Sequence, residues 1–261
     1  VLFVIDTNPI FSCPPSWGVK EKLEKVKTVV SVQAFPNEVD DLAKFSLPGY
    51  HYLEAWGDEQ PFAGFWSLRQ PAVRATTDCR QAEDVLLWVL AHLNKPFGFP
   101  DYRAYLEEQY KSVFKQTGMQ ADYKKFYKAI LRQGFVIKLD KRTQAPLAVI
   151  ATHVSYKAPT PGLKLLSPLD HRLQDGRGAH LPVLQDIGDG MTTIAWDSWL
   201  AIHPDTATKL HIKRNQLVEL TTEAGTIKVA AFPLPGIHPD ALIVPRGNGH
   251  KGGSKISGGV G

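Results

Sequence analysis

Cysteine is scarce in this sequence, and long apolar runs are missing from it. The 261 residues include two cysteines, Cys13 and Cys79, which stand far apart. An iron–sulfur cluster or a structural zinc ion takes about four ligands in closely spaced pairs. The sequence therefore predicts no metal site in this chain, and it leaves open whether the two thiols pair. A membrane-spanning helix takes a stretch of about 18 apolar residues, and because none occurs we predict no transmembrane segment.

A strong excess of charge of either sign is also missing. The 30 lysines and arginines stand against 26 aspartates and glutamates, which gives a net charge of +4. Lysines are dense at 20–27 and 111–128, where the spacing is helical, and solvated helix faces usually carry such charge. No motif of a nucleic-acid reader accompanies them. We therefore predict no nucleic-acid partner, and the 43% of hydrophobic residues predicts a globular chain with one or two cores.

The first recognisable pattern is a β-α-β unit at the start of the chain. Val1–Ile5 is a continuous apolar run that ends shortly before Asn8 and Pro9, as expected for a parallel strand covered on both faces. Helical spacing at 17–27 and a second apolar run at 29–33 complete the unit. A loop at the carboxyl end of such a strand is where open α/β sheets bind ligands. The alternative is that Asn8 and Pro9 only turn the chain.

The middle of the chain has the pattern of helices with apolar faces. Glu83–Ala91 predicts one helix, and aromatic residues spaced by three and four between Tyr102 and Leu131 predict two more, separated near Gln116–Gly118. An aromatic face of this kind is typical of a core or a subunit contact. We interpret this region as a helical insertion.

Three polar residues that are close in sequence, His51, Glu54 and Asp58, resemble an acid–base group at first sight. A general acid or base also needs a shaped pocket and a shifted pKa, and the sequence indicates neither. We interpret these residues as loop residues that make structural hydrogen bonds. No catalytic residue is therefore predicted in this chain.

The C-terminal part has the pattern of a mostly β domain. A connector rich in proline and glycine at 157–162 marks the domain boundary. A short helix is expected after His203-Pro204. Alternation of apolar and polar residues at 217–221 and 227–229 predicts a hairpin, and a glycine-rich loop follows at 247–250. The predicted fold class is α/β plus β.

The order of these blocks resembles the molybdopterin oxidoreductase (dimethyl sulfoxide reductase-like) superfamily. The blocks that resemble its C-terminal domain are His203-Pro204, Val218-Glu219-Leu220, Pro235-Gly236-Ile237 and Gly247-Asn248-Gly249-His250. Leu47–Asp58 and Leu68–Val73 resemble its third domain. Asp175–Asp186 is similar to one branch, which contains the large iron–sulfur subunit of alternative complex III and related quinone-linked complexes.

The resemblance implies a domain organisation. It implies a partial, Rossmann-like α/β domain at 1–100 and a helical insertion at 101–155. A double-psi β-barrel, which binds the molybdopterin dinucleotide in the family, is implied at 156–261. Because the chain starts without methionine and stops where the family continues a loop, we expect a C-terminal fragment of a longer polypeptide.

The resemblance also implies a function at the level of a larger assembly. The favoured hypothesis is a molybdenum-free part of a membrane-associated quinol-oxidising respiratory complex on the periplasmic side. Its partners would be other subunits, quinone, and iron–sulfur clusters in partner or missing domains. The second hypothesis is a fragment of an active molybdopterin-dependent reductase of the polysulfide, thiosulfate or tetrathionate type. A third hypothesis, from a different class, is a barrel used only as a protein-binding module.

Candidate cofactor contacts follow from the resemblance alone. If molybdopterin guanine dinucleotide is bound, the family places these residues near it: Asn8, Pro9, Gln70, Gly247, Asn248, Gly249 and His250. Glycines there would allow close approach of the backbone. His250 would either hydrogen-bond the pterin or act as a loop histidine that contacts a backbone carbonyl. The favoured hypothesis expects the cofactor to be absent.

Overall fold

The computed structural model describes residues 1–119, 122–138 and 161–260. The chain forms two compact units: residues 1–46 belong with 156–261, and residues 47–155 form the second unit. The connector expected at 157–162 lies mostly outside the described residues. The division into domains at 1–100, 101–155 and 156–261 therefore stays a prediction.

The chain begins with the predicted β-α-β unit. Strands β1 and β2 are parallel, with Leu2 opposite Val29, and β3 lies on the other side of β2. All residues of β2 are buried, whereas in β1, at the sheet edge, only Val4 is. The prediction that the first strand is covered on both faces is met only in part, because Leu2 is exposed and Phe3 and Ile5 are half-buried. The elements are β1, Leu2–Ile5; α1, Pro9–Ser12; α2, Val19–Leu23; β2, Val29–Gln33; and β3, Phe45–Pro48.

The second unit combines a small antiparallel sheet with three helices. The strand order is β4-β5-β6, and the helix predicted at Glu83–Ala91 is confirmed as α3. Its elements are β4, Gly57–Glu59; β5, Phe65–Arg69; α3, Ala82–His92; α4, Tyr102–Thr117; α5, Tyr123–Gln133; and β6, Phe135–Ile137.

The aromatic face predicted for α4 and α5 forms the core of this unit. Leu106, Tyr110, Phe126 and Ile130 are buried in one cluster. Gly118 ends α4 in a left-handed conformation, which glycine adopts without steric cost. The predicted pair of helices and their role as core are therefore confirmed.

The C-terminal part of the first unit contains a five-stranded mixed sheet of order β7-β11-β8-β10-β9. The predicted hairpin is confirmed as the antiparallel pair β9–β10, in which Thr222 lies opposite Gly225. The short helix after His203 is confirmed as α7. The elements are β7, Lys164–Leu166; α6, Pro182–Asp186; β8, Trp199–Ile202; α7, Pro204–Lys209; β9, Leu217–Thr222; β10, Gly225–Pro233; and β11, Ala241–Ile243.

The central strand β8 was missed in the sequence. All four of its residues are buried: Leu200 and Ile202 belong to one core cluster, and Trp199 and Ala201 to another on the opposite face. A short run that is apolar on both faces has no period of two, so periodicity cannot distinguish it from a buried helix turn.

A buried ion pair fixes the segment that leads into this sheet. Arg172 and Asp170 are both almost fully buried, and Arg172 Nη2 lies 2.8 Å from Asp170 Oδ2. Burial alone would raise the pKa of Asp170. Hydrogen bonds from Arg172 and from the Leu173 backbone outweigh burial, so the pKa lies below its usual value. The carboxylate therefore holds the start of the loop at 173–180 in place.

The predicted fold class of α/β plus β is thus confirmed in its coarse form, as a mixed α/β chain with a separate mixed sheet. Among the residues that the structure describes, no helix has the length and apolar character that a membrane crossing takes.

Candidate functional site

A cleft of about 240 Å³ opens at the carboxyl ends of β1 and β2. Its walls come from residues 6–8, 11 and 12 after β1, from residues 33–37 at the end of β2, and from parts of the later segments 175–180 and 250–257. The carboxyl ends of parallel strands are the usual ligand position in open α/β sheets. The predicted residues Asn8 and His250 both line this cleft.

Glu38 connects these two predicted residues, although the sequence did not indicate it. The Asn8 side-chain amide donates to Glu38 Oε2 over 2.6 Å. His250 Nδ1 lies 2.9 Å from Glu38 Oε1, and the backbone N–H of Lys251 donates to the same oxygen over 3.2 Å. One carboxylate therefore holds the loop after β1 and the loop at 250–257 together.

The protonation state of Glu38 follows from these contacts. Burial alone would raise the pKa of the carboxyl, but hydrogen bonds from His250 and Asn8 outweigh burial and lower the pKa to about 2. Glu38 is therefore an ionised acceptor at neutral pH.

His250 is buried, and the protein engages both nitrogens of its ring. Nδ1 faces Glu38, and Nε2 lies 3.1 Å from the Gly176 carbonyl oxygen. Because a carboxylate and a carbonyl only accept hydrogen bonds, a ring nitrogen that carries a proton donates to the oxygen that it faces. The ring also stacks on Phe11, with centroids 3.6 Å apart and planes 12° apart. The sequence analysis left two roles open for His250, and the structure shows the contact with a backbone carbonyl. A contact between His250 and a pterin stays a prediction.

Glycines allow the segments around His250 to approach closely. A Cβ at Gly176 would overlap the Phe11 ring and lie 2.7 Å from His250 Nε2. A Cβ at Gly253 would lie 2.8 Å from the backbone carbonyl carbon of Asn37. Side chains at these positions would push the loop at 250–257 away from its neighbours.

The loop after β1 is fixed by its own hydrogen bonds as well. Asn8 is the N-cap of α1, and Pro9 is the first residue of that helix, a position that suits proline. Gln33, at the end of β2, donates from its amide to the carbonyl oxygen of Thr7 over 3.0 Å. Asn8 therefore both starts a helix and contacts Glu38, while Pro9 lies outside the residues that line the cleft.

A second cleft, of about 450 Å³, contains the predicted glycine-rich loop. Gly247, Asn248 and Gly249 line it, together with the cations Lys228 and Arg246. The two clefts adjoin, because three residues line both of them: Phe11, Ser12 and Asp175.

The three residues of this loop have different surroundings. Gly247 packs on Leu173, where a Cβ would come within 2.8 Å. Asn248 accepts a hydrogen bond from Gln185 over 3.1 Å and donates to the carbonyl oxygen of Asp197 over 3.2 Å. Gly249 has a φ of +94° and open space where a Cβ would lie. Gly247 and Asn248 therefore fix the loop, and Gly249 presents bare backbone to the cleft.

The remaining candidates lie in the second unit. Gln70 is exposed, and its amide donates to the Leu131 carbonyl. Glu54 accepts a hydrogen bond from the His51 backbone, and Asp58 accepts one from the Tyr102 hydroxyl, so both carboxylates make the structural contacts expected of them.

The cysteines form no metal site or disulfide. Cys13 and Cys79 are free thiols. Across the described part of the chain, no group of three or more His, Cys, Asp or Glu side chains is arranged to hold a metal ion.

Comparison with known proteins finds a family match in the C-terminal part of the chain. Residues 190–259 match the family model "Molydopterin dinucleotide binding domain". The chain is 25% identical, over 293 aligned positions that cover 96% of it, to the "Thiosulfate reductase molybdopterin-containing subunit PhsA" of Salmonella typhimurium. Its fold is similar to that of acetylene hydratase from Pelobacter acetylenicus, with a TM-score of 0.72 and 16% identity over 98% of this chain. The chain spans 38% and 39% of the lengths of these two proteins.

The substitution Glu38→Gln tests the electrostatic role of Glu38. We expect a lower free energy of unfolding at neutral pH, because glutamine lacks the negative charge that the Asn8 amide, the His250 ring and the Lys251 backbone N–H contact. Folding lowers the pKa of Glu38, so its contribution is complete above the ordinary carboxyl value of 4.5 and is lost as the pH falls towards 2. Urea unfolding of both proteins at a series of pH values measures the difference in their free energies of unfolding. This difference should shrink below pH 4.5. A difference that stays constant as the pH falls through that range would contradict this assignment.

Gly176→Ala and Gly249→Ala form a matched pair that tests the close packing on His250. Both glycines have a positive φ, +98° and +94°, but only at Gly176 would the new methyl group meet neighbouring atoms. We expect Gly176→Ala to be less stable than Gly249→Ala by about 1–3 kcal/mol, the usual cost of overpacking. Denaturant unfolding measures the free energy of unfolding of both variants. Equal losses of this free energy would show that the Phe11–His250 stack is not packed as described.

Proposed function

We propose that this chain, which belongs to the molybdopterin oxidoreductase family, forms part of an oxidoreductase and binds a molybdopterin dinucleotide. The observation that supports this most strongly is that the matched dinucleotide-binding domain at 190–259 contributes to both clefts. It supplies His250 to the first cleft and the loop at 247–249 to the second.

The residues that line the clefts fit such a cofactor. The two clefts adjoin, and the second has a volume of about 450 Å³, within the usual range for ligand sites. Lys228 and Arg246 suit the negative charge of phosphates, and the hydroxyls of Ser167 and Ser198 add donors. Gly249 leaves room for a flat ring or a phosphate to reach the backbone.

The proposed role of this chain is to bind and orient the cofactor. When bound, a molybdopterin cofactor supplies redox chemistry at its metal. The Glu38 carboxylate keeps the loop at 250–257 closed on the loop after β1, so the walls of the cleft are in place before the ligand arrives, which lowers the entropy cost of binding. The stacked Phe11 and His250 rings make one wall of the cleft flat.

The comparisons favour an active reductase over the molybdenum-free respiratory subunit. The similar Salmonella protein is named as a molybdopterin-containing subunit of a thiosulfate reductase, which agrees with the second hypothesis from the sequence. No comparison supports the expected absence of the cofactor or a specific link to alternative complex III. We propose a reductase of the polysulfide, thiosulfate or tetrathionate type.

The location and the partners of the whole protein are also proposals. The resemblance supports a periplasmic, membrane-associated complex with quinone as redox partner, and the name of the Salmonella protein as a subunit supports an assembly of several chains. Iron–sulfur clusters would then belong to partner subunits or to other domains. In the same way we propose that the β-α-β unit is part of a Rossmann-like domain and that the five-stranded sheet is part of a double-psi β-barrel.

Gly249→Leu and Gly236→Leu test the proposed cofactor site. Both glycines have a positive φ, +94° and +96°, and neither has an atom near the place of a Cβ, but only Gly249 lines the cleft. We expect similar strain of about 1–2 kcal/mol in both variants. Only Gly249→Leu should lose most of its pterin, measured as fluorescent oxidised pterin per folded chain in the purified protein. Equal pterin content in the two variants, or none in the unmodified protein, would contradict the proposal.

A further inference from the structure

A cationic surface in the second unit is independent of the proposed cofactor site. Four cations of α5 form this surface, which we call the basic face: Lys124, Lys125, Lys128 and Arg132. All four are exposed, and they project away from Phe126 and Ile130, the buried residues of the same helix. Lys124, Lys128 and Arg132 follow one another at intervals of four, so they lie along one side of the helix.

The charge of the chain is concentrated around this helix. Residues 111–138 contain seven lysines and arginines and a single acidic residue, Asp122, a net charge of +6. The whole chain has a net charge of +4, so the rest of the sequence is net acidic. Within the described ranges, none of the four cations makes an ion pair, whereas Lys111 on α4 pairs with Glu108 at 2.7 Å.

Most of these charges do not help α5 to fold. Lys124 and Lys125 lie in the first turn, which carries no acidic residue, and positive charge near a helix N-terminus opposes the helix dipole. Lys124 and Lys128, and likewise Lys128 and Arg132, are like charges at i,i+4, which repel each other. Arg132, in the last turn, has the sign that the helix dipole favours there. The three lysines oppose helix stability, and a role in binding accounts for them better than a role in folding.

We propose that the basic face docks against an acidic surface of another protein, in a weak complex that depends on salt. A membrane fits less well, because a helix at a lipid surface inserts its apolar side, and the apolar side of α5 is buried in the core of the unit. Flexible, strongly hydrated lysines favour fast electrostatic steering over a dry, permanent interface. The inference goes beyond the proposed function and does not rest on it.

Binding of a fluorescent polyglutamate peptide, followed by anisotropy at low and high salt, tests this surface. The test variant replaces the four cations of the basic face by glutamine (K124Q, K125Q, K128Q, R132Q). The matched control replaces four exposed lysines in and around α2 (K20Q, K22Q, K25Q, K27Q), which alternate with Glu21 and Glu24. We expect the affinity of the test variant to fall about tenfold or more, that of the control to change less than about twofold, and salt to weaken binding by the unmodified chain.

Three results would overturn the proposal. The first is that the unmodified chain does not bind the peptide at low salt. The second is an equal loss of peptide affinity in the test and control variants. The third is tighter binding to phosphatidylglycerol–phosphatidylcholine vesicles than to the peptide through the same four residues. The unfolding midpoint of each variant shows whether a loss of binding comes from misfolding. Because removing like charges relieves repulsion, the test variant should be at least as stable as the unmodified chain.

Discussion

The first unit depends on one contact between distant parts of the chain, the pairing of Glu38 with His250. The two residues are 212 positions apart, and their side chains meet at 2.9 Å with little access to solvent. Leaving either charge or polar group buried alone would cost more than the pair gains. The contact therefore determines where the loop at 250–257 lies on the β-α-β unit.

The two clefts follow from that constraint. The glycines near His250 leave room for its contacts. Gly176 leaves space for the Phe11 and His250 rings, Gly252 for the Asp41 side chain, and Gly253 for the Asn37 backbone. The His250 ring stacks on Phe11. The same loop is held at its other end by Asn248, between Gln185 and Asp197. Gly249 is left facing the open second cleft. The two adjoining clefts, where we propose that the cofactor binds, thus lie where two parts of one unit meet.

The sequence predicted local elements well and the assembly of the site only in part. The β-α-β unit, the helices α4 and α5 and the hairpin β9–β10 each have a clear period and clear end signals. Strand β8 has no such period, because it is apolar on both faces. Asn8 and His250 were candidates through the family resemblance, whereas Glu38, which joins them, has no local signal that points across 212 positions. Gln70 lies in the other unit, and its contact with the cofactor stays a prediction.

A double-mutant cycle between Glu38 and His250 tests the account most directly. The free energies of unfolding of the unmodified chain, Glu38→Gln, His250→Asn and the double variant would be measured at neutral pH. We expect the two losses of unfolding free energy to be strongly non-additive, with a coupling of about 1–3 kcal/mol, as for residues that share one polar network. Losses that add to within about 0.5 kcal/mol would show that the two residues act independently and that this contact does not hold the site together.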